Sequence, residues 1–347
     1  MKLTRSLLDE ATGEGIVDAR QADALWAFLE ARDESTPSFR ATHILYYLGG
    51  MLAIGAMSVF MTLGWQRFGG WGIAGFAFAY ALLAVLVVTR LLARPGLQLP
   101  AGIVATFAVA LVPLGVYGLQ VAFGLWPHDS PYRDYHRLID ARWLTMELAT
   151  LAAGSLALWR WRAPFLVMPI AFTLWYLSMD LAPAIFGVKD LDWSLRKQVS
   201  MACGAAMIAV ALVVDLRSRG VRDYAFWIHL FGVMAFWGGL SLMKSTSELG
   251  KLVYCLINLG LIGFGAALRR RAYAVFGGLG VAGYVGHLAH DLFKNSFMFP
   301  VALTAIGFAV VWIGVVWQRH EARIAERLGM LLPAGLRAAV LARQRRA

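Results

Sequence analysis

Apolar stretches of about 20 residues recur along this chain, and that recurrence restricts its fold more than any other feature. They lie near 41–64, 71–93, 100–125, 142–160, 163–183, 198–216, 224–243, 250–268, 272–293 and 298–318. At about 1.5 Å of rise per residue, a helix of this length crosses the roughly 30 Å hydrocarbon core of a bilayer. Hydrocarbon offers backbone groups no partner, so a spanning segment must bond to itself, and the helix does so. The chain is 59% hydrophobic and 15% charged, more apolar surface than a soluble domain of 347 residues can hide. The expected fold is all-α: a polytopic membrane helix bundle of about ten transmembrane helices, residues 41–318, with both termini cytoplasmic.

The orientation follows from the connections. Alternate short loops carry Arg90 and Arg94; Arg160 and Arg162; Arg217, Arg219 and Arg222; and Arg269, Arg270 and Arg271. Asp215 and Asp223 are the acids beside them. The opposite connections are longer and mix basic with acidic residues, as in 126–142 and 189–197. Dense basic loops stay on the cytoplasmic side. Trp65, Trp71, Trp126, Trp143, Trp159, Trp161 and Trp317 mark span ends as interfacial anchors. The net charge of +11 therefore belongs to membrane anchoring, and nucleic-acid binding is excluded as a function class. Cys203 and Cys255 both sit in apolar runs and read as small core residues without a disulfide framework. Pro113 and Pro169 are placed to kink the third and fifth spans.

Two amphipathic segments flank the bundle. In residues 1–40, Leu3, Leu7, Leu8 and Ala11 form one helical stripe, broken by Gly13 and Gly15. Asp18 then caps a second helix with Gln21 three residues on, and Ala22, Leu25, Trp26 and Leu29 make its apolar face. This cytoplasmic helical hairpin is either a cap on the bundle or membrane surface, or a docking module for a protein partner. The tail, 319–347, is basic and amphipathic, and either extends into solvent or meets anionic lipid at the cytoplasmic leaflet.

Ionisable residues inside the apolar runs are the functional candidates, because charge at membrane depth is costly unless sheltered. Glu147 shares a stripe with Thr150 and Gly154; Asp180 shares one with Thr173 and Tyr176. In the stretch GGLGVAGYVGHLAHDLF, 277–293, helical spacing aligns Gly280, Gly283, Tyr284, His287, His290 and Asp291. Glu147, Asp180, Tyr284, His287, His290 and Asp291 all fall toward the non-cytoplasmic ends of their spans and are candidates for an outward-facing pocket or proton relay. His287, His290 and Asp291 also have the chemistry of a transition-metal site, although their spacing is no zinc signature and the sequence requires no cofactor. Residues 278–283 spell GxGxxG, but within an apolar helix Gly278, Gly280 and Gly283 read as helix packing, as do Gly260 and Gly263. His229 and Asn258 read as interhelical hydrogen-bonding groups.

The hairpin GIVDARQADALWAFLE and the following LYYLGGMLAIGAMSVFMTLGW resemble a family of uncharacterised bacterial membrane proteins, the DUF2157 family, through Gly15, Ile16, Val17, Gln21, Ala22, Gly49, Gly50, Gly55 and Trp65. The resemblance covers roughly the first 70 residues. It implies a bacterial inner membrane and brings no catalytic residues. Three function classes remain open: small-solute or ion transport through the outward-facing pocket, a non-enzymatic sensor or scaffold acting through the hairpin and tail, and a metal-dependent membrane enzyme.

Overall fold

The computed structural model describes residues 5–33, 41–64, 68–94, 96–126, 141–187, 193–217, 222–243, 247–292 and 327–344, with isolated positions between 301 and 324. The described residues form helices and no strand. The N-terminal pair is α1 (Arg5–Gly13) and α2 (Ala19–Asp33), followed by α3 (Ala41–Gly64), α4 (Gly69–Leu92), α5 (Gln98–Ala110) and α6 (Val112–Ala122). Then come α7 (Ala141–Trp161), a 3-10 turn (Pro164–Leu166), α8 (Val167–Phe186), α9 (Trp193–Arg217) and α10 (Ala225–Leu242). The tightly turned pair α11 (Glu248–Leu268) and α12 (Arg271–Leu292) precedes α13 (Ala334–Gln344).

Among the described residues, seven helical segments are long and apolar enough to cross a membrane: α4, α5 with α6, the 3-10 turn with α8, α9, α10, α11 and α12. The chain is a multi-pass helical membrane protein. Helices also occupy the expected first and fourth spans. α3 contributes a shorter apolar stretch, Ile44–Met57, and α7 carries Arg142, Glu147 and Arg160 and is not among the seven. The run 298–318 lies largely outside the described residues.

The N-terminal hairpin closes as its sequence dictates. Gly15 takes a left-handed φ of 72°, open to glycine at little cost. Asp18 and Gln21 then satisfy each other's backbone N–H groups, at 2.8 and 3.2 Å, in a capping box. Leu8 and Ala22 are buried between the two helices, whereas Ile16, Leu25 and Phe28 stay exposed.

Proline behaves differently at its two expected kinks. Pro113 ends α5 and opens α6, because a residue without an N–H cannot continue the hydrogen-bond ladder. Pro169 falls in the first turn of α8, where its N–H would have had no partner, so the span needs no mid-helix kink there.

Packing is small-side-in. Along α4, Gly70, Ala74, Ala77 and Ala84 are buried, while Trp71, Phe78, Leu82 and Leu86 point outward. Lipid is as apolar as leucine, so large side chains gain little by facing inward, and helices meet where backbones approach closely. A side chain at Gly118 would strike the backbone of Gly70 and Ala74, locking α6 to α4. Gly204 meets the backbone of Gly232 and Phe236, and Gly239 meets that of Lys197 and Met201, locking α9 to α10. The apolar residues Leu332 and Val340, before and within α13, lie against the core around Leu268 and Tyr273.

Gly204→Leu is expected to destabilise the protein in detergent by about 1–3 kcal/mol or more, since overpacking cannot be relieved by a rigid backbone. Gly283→Leu, where an added Cβ meets nothing within 4 Å among the described residues, should leave the melting temperature nearly unchanged. Thermal unfolding of the two variants checks the contrast.

Candidate functional site

At the ends of α7, α8 and α9 that face the acid-containing loops, helical spacing gathers a polar cluster. α7 buries Glu147, Thr150 and Gly154 on one stripe. α8 presents Thr173 and Asp180, both buried, with Tyr176 half-buried between them. The carboxyl groups of Glu147 and Asp180 lie near enough to interact, and Tyr176 feels both of them and Arg196. Among the described residues neither carboxyl oxygen of Glu147 meets a hydrogen-bond donor; the group it faces is the Asp180 carboxyl. Arg196, in the first turn of α9, brings a guanidinium nitrogen 3.6 Å from Asp180 and lies 5.9 Å from the Trp193 ring.

A neutral network closes this end. Gln120 on α6 donates to the Arg142 carbonyl at 3.0 Å and to the Thr145 hydroxyl at 2.7 Å, and accepts from the Trp126 indole at 3.0 Å. The Arg142 guanidinium stands 4.6 Å over that indole and donates to the Leu125 carbonyl. Deeper in the bundle, the Trp175 indole donates to Ser200, whose hydroxyl donates to the Ala235 carbonyl, lacing α8, α9 and α10 together.

The pocket expected from sequence is therefore assembled only in part. Glu147 and Asp180 meet, and Arg196 joins them. Arg196 escaped sequence reading because it falls in the connection ahead of the expected span at 198; the helix begins five residues earlier, at Trp193. Tyr284 and His287 are half-buried on α12, which packs mainly on α11 and α10, away from α7. The side chains of His290 and Asp291 lie outside the described residues. Among the described residues no three His, Cys, Asp or Glu side chains converge as a metal site.

Among the described residues, one of the glycines expected to pack on α11 and α12, Gly280, meets a close neighbour. Among the described residues, a Cβ at Gly260, Gly263, Gly278 or Gly283 would meet nothing within 4 Å, because these positions lie off the α11–α12 contact face. The close approach runs through Gly265, Gly277 and Gly280, the last against the Asn258 side chain. Asn258 donates to the Tyr254 carbonyl of its own helix at 2.8 Å rather than across helices.

The opposite, arginine-rich end holds a second buried network. Arg270, between α11 and α12, makes paired hydrogen bonds to Asp215 on α9 (2.6 and 3.2 Å) and to Asp223 ahead of α10 (both 3.1 Å). Burial opposes its charge, but the carboxylates of Asp223 and Asp215 outweigh that and hold it above the ordinary arginine value. His229 on α10 bonds to Asp215 through Nε2 at 3.0 Å and to the Tyr273 hydroxyl through Nδ1 at 2.6 Å. A carboxylate only accepts, so Nε2–H donates to Asp215, and in the neutral ring Nδ1 accepts from Tyr273. His229 thus ties α10 to α9 and α12. Asp215, Asp223 and Arg270 read in sequence as loop charges because nothing in their spacing reveals that three helix ends converge on one guanidinium.

Arg270→Ala strands two half-buried carboxylates and should cost about 3–5 kcal/mol. Arg270→Lys, lacking the planar fork, should recover only part of this. Chemical or thermal unfolding in detergent measures both. Comparison of the chain with known protein families, with characterised proteins and with solved structures finds no match.

Proposed function

We propose that this chain is a bacterial inner-membrane protein of about ten spans, both termini cytoplasmic, that moves a small ion or solute in a proton-linked manner. Glu147, Asp180 and Arg196 form its outward-facing relay. The observation that carries this reading is Glu147, a buried carboxyl that meets no hydrogen-bond donor among the described residues and faces a second carboxyl that leans on an arginine. An ionisable group left so poorly satisfied at membrane depth is expensive, and exchange of a proton or cation is a use that accounts for it. Two carboxyls sharing one site favour holding one proton between them, a poised state for release and uptake. Asp180 has Arg196 as counter-charge, leaving Glu147 as the exchanging partner.

The orientation rests on the density of arginines in alternate loops. The inner-membrane assignment rests on the resemblance of the first 70 residues to the uncharacterised bacterial family. A second reading, a sensor or scaffold acting through the N-terminal hairpin, draws on its exposed Ile16, Leu25 and Phe28. These readings separate cleanly by experiment.

Protein reconstituted in liposomes under an imposed pH or cation gradient is expected to carry flux reported by an entrapped pH-sensitive dye. Glu147→Gln should reduce that flux by about 100-fold, the lower end of what a positioned proton-transfer group contributes. Its melting temperature should not fall, since the substitution replaces a carboxyl that faces another carboxyl and meets no donor among the described residues. Flux unchanged in Glu147→Gln, or absent from the unaltered protein, overturns the relay. Loss of cellular function on removing residues 1–36, with flux intact, would favour the scaffold.

A further inference from the structure

A cleft of about 250 Å³ opens at the arginine-rich end, between the end of α4, the start of α5, the α7–α8 connection and the start of α10. Three arginines line it: Arg94, Arg162 and Arg222. Among the described residues none of the three has a carboxylate within ion-pair distance. Asp223, the acid in the lining, is held by Arg270. The cleft therefore concentrates positive charge that no described carboxylate pairs with, in contrast to Arg270 nearby.

The arginines are also positioned. Arg162 adopts a left-handed φ of 50°, uncommon for a residue with a side chain. Its carbonyl accepts from the Arg222 guanidinium at 2.9 Å and from the Tyr224 hydroxyl at 2.5 Å, which fixes the turn. The other terminal nitrogen of Arg222 donates to Gln98 at 2.9 Å. Arg222 is thus braced with donors to spare, and Arg94 and Arg162 are exposed beside it. A guanidinium fork matches phosphate oxygens in geometry and charge.

The remaining wall is apolar. Phe165 and Trp227 pack edge to face at 4.8 Å, Trp161 adjoins them, and Leu92 at the rim is 37% exposed. Cationic rim, aromatic wall and exposed aliphatic flank, at helix ends that lie at headgroup depth, together describe an amphiphile with an anionic head. We infer that this cleft binds the phosphate headgroup of an anionic membrane phospholipid, with its acyl chains leaving along the exposed apolar flank beside Leu92. The volume suits a headgroup and not a whole lipid. The site is separate from the basic tail and does not depend on the transport reading.

The test uses the full chain purified in neutral detergent, with lipid adducts counted by native mass spectrometry. Phosphatidylglycerol is expected to bind the unaltered protein in preference to phosphatidylcholine. Arg94→Gln/Arg162→Gln should weaken phosphatidylglycerol binding about 30-fold, as removing two basic residues near a lipid surface implies. Arg337→Gln/Arg343→Gln in the tail should leave the cleft's binding unchanged. The single variant Arg94→Gln alters an exposed side chain that bonds to no described residue, and should weaken binding by about 5-fold even if the double variant unfolds. Equal lipid binding by unaltered and Arg94→Gln protein, or no preference for phosphatidylglycerol, overturns the assignment. Thermal protection by inorganic phosphate without retained lipid would also overturn it, reassigning the cleft to a soluble phosphate compound.

Discussion

Everything in this bundle depends on how closely two helix backbones can approach when hydrophobicity no longer favours the interior. In water a buried leucine stabilises a fold by leaving solvent; in lipid it exchanges one hydrocarbon neighbour for another. What remains is dispersion at short range and a few polar bonds. The contacts of α4 with α6, α9 with α10, and α11 with α12 accordingly run through Gly70 and Gly118, Gly204 and Gly239, and Gly265 and Gly277. Many of the large side chains, Trp71, Phe78, Leu82 and Leu86 among them, are left on the outside. The polar groups that do enter the interior then act as specific fasteners, as Ser200 and His229 do by each joining three helices.

The two ends of the bundle solve the problem of buried charge in opposite ways. At the arginine-rich end Arg270 satisfies two aspartates at once, and His229 completes the set by bonding to Asp215 and Tyr273. That is a structural clamp with its donors and acceptors matched. At the other end Glu147 meets no donor among the described residues and faces Asp180, which lies 3.6 Å from Arg196. Stability alone would favour completing that cluster or replacing it with apolar residues.

Element existence was legible in the sequence wherever an apolar run met a break. Nine of the ten expected spans coincide with helices, and the capping box of Asp18 and Gln21 forms with the partners its spacing implies. Which glycines touch a neighbour was not legible, because α11 and α12 are glycine-rich on more than one face and composition does not say which face is shared. The same limit hid Arg196 and Arg270. Both stand at helix ends, where a charged residue reads as a loop anchor until the convergence of other helices turns it inward. Glu147 and Asp180 were visible as costly charges, but only the pairing of α7 with α8 brings them together.

The break at Pro113 has a mechanical meaning. α5 begins at the basic cleft with Gln98, and α6 ends at the opposite network with Gln120, so this pair is the strut that joins both polar ends. An unbroken helix would pass a tilt at one end directly to the other. A strut jointed at Leu111–Pro113 bends there first, since the ladder is already interrupted. α6 is gripped by α4 through backbone contact at Gly118, whereas α5 is held by side chains, Ile103 against Gly50 and Phe165 against Gly102. The joint therefore divides the strut into two separately seated halves, and a tilt at the arginine-rich surface is not passed rigidly to the acidic cluster.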